Sequence, residues 1–310
     1  MENKKEKSMN LKVIIPVAVV IIVGIIVGVL FFGKEDGYRL IQVYQVDGTA
    51  TIERESIGSM DAYENLNLLS GDWVKTLTES FLRLKLDEDK YALVEEDTVL
   101  EIYATGNESS SKTDIRLEKG AITVEVENKL NDESSFEVTT PNSVMAIRGT
   151  VFRITAGLDE AGNPITQITV FEGTVTVRKM NEDGTLSEET AIESGKEALI
   201  YKENEEEVLV ILDEINTDEI PLEVLEFLGE VIDGGHEIIY TEEEIIELIE
   251  GKTNQEYTVT FMYNGSVFGT QEVKNGELAS KPTLMPAPSG SWNYDFNTPI
   301  TQDTVIEFVE

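Results

Sequence analysis

Thr140-Pro141-Asn142-Ser143-Val144-Met145-Ala146-Ile147-Arg148-Gly149-Thr150-Val151-Phe152-Arg153-Ile154 is an apolar run led by a Thr-Pro pair and interrupted at Arg148-Gly149-Thr150. Pro141 biases Thr140 towards an extended backbone. Gly149 is expected to relieve a turn or a bulge. Arg148 lies among Val144, Met145, Ile147 and Phe152. The expected role is structural, with the guanidinium satisfying carbonyls or a carboxylate; an anion-binding arginine is the competing reading.

Working outward, three segments share a local pattern of an apolar residue, a glycine turn, then Thr alternating with apolar positions. They are Val46–Ile52, Leu117–Val124 and Phe171–Val177, with Gly48, Gly120 and Gly173 at their turns. Alternation with β-branched residues suits a half-buried pleated surface. Phe81–Leu86 and Thr98–Tyr103 show the same period of two, and Asn181–Gly184 and Ala161–Pro164 read as hairpin turns. Many short strands at close spacing indicate a sandwich, barrel or solenoid. The recurring glycine-led unit favours stacked coils. The fold class is therefore mainly β, with an all-β solenoid-like or sandwich domain over residues 38–201.

The Thr140–Ile154 segment resembles the signature of the FecR domain: a Thr-Pro, an aliphatic run, Arg-Gly-Thr, then an aromatic within a strand. The residues that carry it are Pro141, Arg148, Gly149, Thr150 and Phe152, supported downstream by Phe171–Val175 and Ser194–Ala198. The resemblance covers about half the chain. It implies an all-β, solenoid-like extracytoplasmic module. Some members of that family regulate sigma factors in response to iron–siderophore uptake, and others decorate envelope proteins.

Ahead of this region, Val13–Phe32 runs for 20 residues without a charge. That length spans about 30 Å as a helix, enough for the hydrocarbon core of a bilayer. Pro16 stands in the first turn, where its missing N–H is tolerated. The run is longer than a secretory apolar region, and Leu30-Phe31-Phe32 suits a signal peptidase poorly, so an uncleaved anchor is expected. Lys4, Lys5, Lys7 and Lys12 precede it, which places residues 1–12 in the cytoplasm and residues 33–310 outside the cell. Gly24 and Gly28 form a small-xxx-small pair, a candidate helix-dimer face.

Charge narrows the partners. The chain carries 60 acidic and 24 basic residues for a net charge of −36 over 310 residues. Such a surface repels phosphate backbones, so no nucleic-acid partner is expected. There is no cysteine, which excludes disulfides, thiol nucleophiles and Cys-ligated zinc. The single histidine, His236, falls in Asp233-Gly234-Gly235-His236-Glu237 and reads as a solvated loop residue. No catalytic set, cofactor-binding set or metal-ligand set can be singled out, and an enzyme is not expected.

Residues 203–252 read as an acidic helical linker. Glu203–Glu207 is an acidic run, and Pro221 opens a helix with Leu222, Leu225, Leu228 and Val231 or Ile232 on one face. Gly234-Gly235 stops it. Thr241 with Glu244 forms a capping box for a second helix carrying Ile245, Ile246, Leu248 and Ile249, which Gly251 ends. The linker is expected to be a spacer packed on its own neighbours. Residues 257–310 resemble the internalin-type β-grasp repeat of bacterial surface proteins, through Tyr257, Val259, Phe261, Asn264-Gly265, Gly276, Pro282, Trp292, Phe296 and Pro299-Ile300-Thr301. The segment around Trp292 is shortened relative to that repeat.

The expected partners are the lipid bilayer, through Val13–Phe32, and an envelope protein or cell-wall polymer. The tail of residues 1–12 carries no apolar stripe with which to engage a sigma factor. External binding or scaffolding at the cell membrane is therefore the expected function. The alternative is a FecR-type transmembrane regulator acting through a partner protein.

Overall fold

Alternation sets the strands. Ile41–Asp47 buries Ile41 and Val43, and Ala50–Arg54 buries Ala50 and Ile52, with Gly48 at the turn between them. The computed structural model describes residues 41–107, 110–181, 183–204, 206–284 and 289–309. Val13–Phe32, with Gly24 and Gly28, and the lysine-rich tail lie outside the described residues. Among the described residues, no helix is long and apolar enough to cross a membrane.

The large β unit is one 17-stranded sheet folded into two halves. The strand Ser110–Val126 belongs to both. Its first part pairs antiparallel with Val99–Asn107 and parallel with Ser135–Thr140. Its second part, from Gly120, pairs with Lys90–Val94 and Val151–Leu158. Outward from there, one half runs through Pro164–Glu172, Glu197–Glu203 and Glu206–Leu212 on one side, and Phe81–Asp87 and Ile41–Asp47 on the other. The other half runs through Ser143–Ile147, Thr174–Lys179 and Thr190–Glu193, and through Asp72–Thr76 and Ala50–Arg54.

A single apolar core lies between the halves. The first half sends in Ile41, Val43, Leu84, Ile154 and Ile168, and the second sends in Ile52, Val74, Ile102, Val138, Met145 and Val177. Two faces meeting across one core make a sandwich. This corrects the leaning towards stacked coils. The glycine-led units are corners: Gly48 and Gly173 each join two strands. Gly120 does not turn the chain; it stands inside the long strand, beside a register shift that leaves Glu118 without an opposite residue. Such a bulge bends a strand, and here it lets one strand serve both halves.

The acidic run is not helical. Glu197–Glu203 and Glu206–Leu212 form an antiparallel hairpin, with Asn204 at φ +51° near its turn. Two helices follow, α1 (Leu222–Asp233) and α2 (Glu242–Thr253). The capping box at Thr241 and Glu244 is present, Pro221 is the N-cap of α1, and α2 continues past Gly251 to its cap at Asn254. Val224, Leu225, Phe227, Leu228 and Val231 of α1, with Ile245 of α2, share one cluster with Leu93, Val151 and Phe171 of the sandwich. The helix pair is thus seated on the outer face of one half.

Residues 256–309 form a separate four-stranded sheet. Glu256–Tyr263 pairs antiparallel with Ser266–Lys274 and parallel with Thr304–Val309, and Ser291–Trp292 closes the edge. Its own core holds Val259, Phe261, Trp292, Ile300 and Ile306.

Candidate functional site

The signature segment forms a hairpin and a corner. Ser135–Thr140 and Ser143–Ile147 pair in register around the Pro141-Asn142 turn. Pro141 is exposed, whereas Asn142 is buried. The Asn142 amide donates to the carbonyls of Pro164 (3.1 Å) and Ile200 (3.2 Å), and its side-chain oxygen accepts from Thr166 at 2.6 Å. Thr140 and Ser143 hydroxyls meet at 2.7 Å beside it. The turn thereby ties one half of the sandwich to the other.

From Ile147 the chain crosses between the halves through Arg148-Gly149-Thr150. Arg148 points outward, with its side chain 67% exposed; it donates to the Asp132 carboxylate at 2.7 Å and to the Leu130 carbonyl at 3.3 Å. Gly149 has φ +80°, and a Cβ there would lie 3.0 Å from Lys129 Cα and 3.2 Å from Lys129 N. Gly173 meets the same corner: a Cβ on it would lie 2.6 Å from the Gly149 carbonyl oxygen. Thr150 is buried and its hydroxyl has no hydrogen-bond partner among the described residues. Phe152 is fully buried and meets Phe136 edge to face at 6.5 Å.

Beside the corner lies a polar groove of about 420 Å³, lined by Asp87, Asp89, Lys90, Asn128, Lys129 and Asn131, among others. Lys90 is buried and paired with Asp89 at 2.7 Å and Asp87 at 2.9 Å. Burial works against ionised Asp89, but Lys90 and Asn128 outweigh it and hold its carboxyl below the usual range.

Two charged groupings lie under the helix pair. Glu95 is buried and takes a bidentate pair from Arg153, with Nη2–Oε2 at 2.7 Å and Nε–Oε1 at 2.9 Å. Thr123 donates to the same Glu95 carboxylate at 3.1 Å. Burial alone would lower the Arg153 pKa; the Glu95 charge reverses that and raises it. Nearby, Glu223 is raised by burial, with the charges of Glu95 and Glu96 adding to the effect.

The second grouping corrects the sequence reading of His236. The residue is in the loop after α1, as expected, but it is not free in solvent. Its side chain is 25% exposed and its Nε2 stands 3.8 Å from Oε1 of Glu125. Burial pushes the Glu125 carboxyl up to about 7; His236 opposes this, and Glu127, Glu172 and Glu230 reinforce it. Glu230 itself is paired with Arg83.

Sequence reasoning named Arg148 and Gly149 but passed over Asn142, Glu95 and Arg153. Asn142 follows a proline and looks like any turn residue. Glu95 opens the acidic run Glu95-Glu96-Asp97 just past the strand Lys90–Val94, so it reads as part of a solvated turn.

Residues 72–176 match the family model described as FecR protein. No curated protein matches the chain. Among solved structures, the chain is similar to two crystal structures of candidate anti-sigma factors from Parabacteroides distasonis ATCC 8503. The first is 15% identical with a TM-score of 0.37 and covers 46% of this chain, which in turn spans 59% of that protein. The second is 12% identical with a TM-score of 0.40, covering 77% of this chain and 98% of its own. The Asn142 turn, the Arg148-Gly149-Thr150 corner and the Glu95–Arg153 pair all fall within the residues that match the FecR family model.

Proposed function

We propose that this chain is a FecR-type regulator that acts through a partner protein, with its β unit on the outer side of a bacterial membrane. The observation that carries the reading is the FecR match over residues 72–176, which spans the signature corner and the residues that line the adjoining groove. The match favours the regulator over the external scaffold expected from the short tail. Val13–Phe32 supplies the anchor, and the four lysines ahead of it set the orientation. Under this reading the partner protein carries the signal, and the chain performs no chemistry of its own. The C-terminal sheet, with its parallel first and last strands, serves as an accessory attachment module.

In-cell photo-cross-linking tests this. A photoreactive residue at Lys129, on the lip of the groove, should give a discrete adduct with one protein. The same residue at Val267, exposed in the C-terminal sheet, is the control. Absence of any protein adduct at Lys129, or an adduct only at Val267, would overturn the assignment.

A further inference from the structure

The chain has one histidine, and the fold delivers it to a carboxylate far away in sequence. Glu125 stands one residue before the end of the long strand at Val126, and Glu127 one residue beyond it. His236 reaches them from the loop after α1. The His236 nitrogen and one oxygen from each glutamate all lie within 4.8 Å of one another. Around a tetrahedral zinc ion, ligand atoms sit about 3.4 Å apart, so this set needs only a small contraction.

Glu125 adds a second and independent observation. Its side chain is 9% exposed, and among the described residues no hydrogen-bond donor serves its carboxylate; its ion-pair partner is His236, at a distance too long for a hydrogen bond. A buried carboxylate without a donor is costly. Among the described residues no lysine or arginine forms an ion pair with it, and Arg83 is committed to Glu230. A bound cation would supply the missing positive charge. One imidazole and two carboxylates suit zinc-class ions, whereas calcium and magnesium prefer all-oxygen sites.

We propose that Glu125, Glu127 and His236 bind a divalent transition-metal ion of the zinc class, and that the ion clasps the loop after α1 to the end of the long strand. Three protein ligands leave a fourth position for water or a partner's side chain. His236 and Glu125 lie on opposite sides of the seam between the helix pair and the sandwich, so the ion would tighten that seam.

The test is calorimetric titration of the full chain with zinc chloride, in excess magnesium to occupy the general acidic surface. The expected result is one zinc per chain, lost in His236→Ala and weakened at least ~10-fold in Glu127→Gln, the lower end of what even outer ligand partners contribute. Zinc should also raise the melting temperature of the wild type and leave that of His236→Ala unchanged. Absence of zinc binding would overturn the proposal. So would binding that His236→Ala leaves unaltered, because the ion would then sit on surface carboxylates. If His236→Ala fails to fold by circular dichroism, Glu127→Gln decides alone, and unaltered affinity there overturns the site.

Discussion

Replacing Gly149 by alanine probes the corner at one atom. Two costs apply. At φ +80° an L-residue sits in the left-handed region, at about 1–2 kcal/mol. The new Cβ would also press on Lys129, at 3.0 Å from Cα, 3.1 Å from Cγ and 3.2 Å from N. Cγ can swing aside, but Cα and N belong to backbone that must move, and overpacking of this kind costs roughly 1–3 kcal/mol. Reduced freedom of the unfolded chain returns about 0.4–1 kcal/mol. The net loss is about 1–4.5 kcal/mol. Gly162→Ala is the matched control: φ is +84°, but a Cβ there meets nothing within 4 Å. It should cost about 1 kcal/mol or less. Urea unfolding followed by Trp73 fluorescence, in a Trp292→Phe background, reads the β unit alone, because the chain has 2 tryptophans. Equal losses at the two glycines would refute the close approach to Lys129 as the reason for glycine at 149.

Three further outcomes are expected. Asn142→Ala should destabilise the β unit by about 2–4 kcal/mol in the same titration, since it strips partners from two carbonyls and from Thr166; a loss below about 1 kcal/mol contradicts the tie between the halves. Glu125, raised from an ordinary 4.5 to about 7, binds its proton more tightly in the folded chain. Its contribution is therefore fully present below pH 4.5 and lost as pH rises through 7. Metal-free Glu125→Gln should lack this component, so the stability difference between wild type and variant should grow against the wild type over that window; a flat difference refutes it. An isolated fragment of residues 257–310 should fold with Trp292, 6% exposed, giving blue-shifted fluorescence, whereas a random-coil spectrum would refute its independence.

Local features were legible because their causes are local. The capping box at Thr241 and Glu244 is a pair three residues apart, and it is present. Alternation announced Phe81–Leu86 and Thr98–Tyr103, which fall in the strands Phe81–Asp87 and Val99–Asn107. The sandwich was less legible because glycine-led units occur both at coil corners and at sheet corners. Gly120 shows the ambiguity: the residues around it match those at Gly48, yet the strand continues past it with a bulge, since its later flank pairs with Val151–Leu158, more than twenty residues on. Charge hid the strand Glu206–Leu212, whose acidic start reads as linker until Glu197–Glu203 pairs with it. The meeting of His236 with Glu125 depends on α1 docking against Val151 and Phe171, which no local pattern encodes.

The regulator reading is tested most directly by transcript profiling of cells that carry the chain with and without residues 72–176, the anchor and C-terminal sheet being retained and display at the surface verified. The account predicts that removing residues 72–176 changes a defined, sigma-dependent set of transcripts, and that restoring them reverses the change. An unaltered transcript profile, with the truncated chain still displayed, would contradict it and return the chain to an external scaffold.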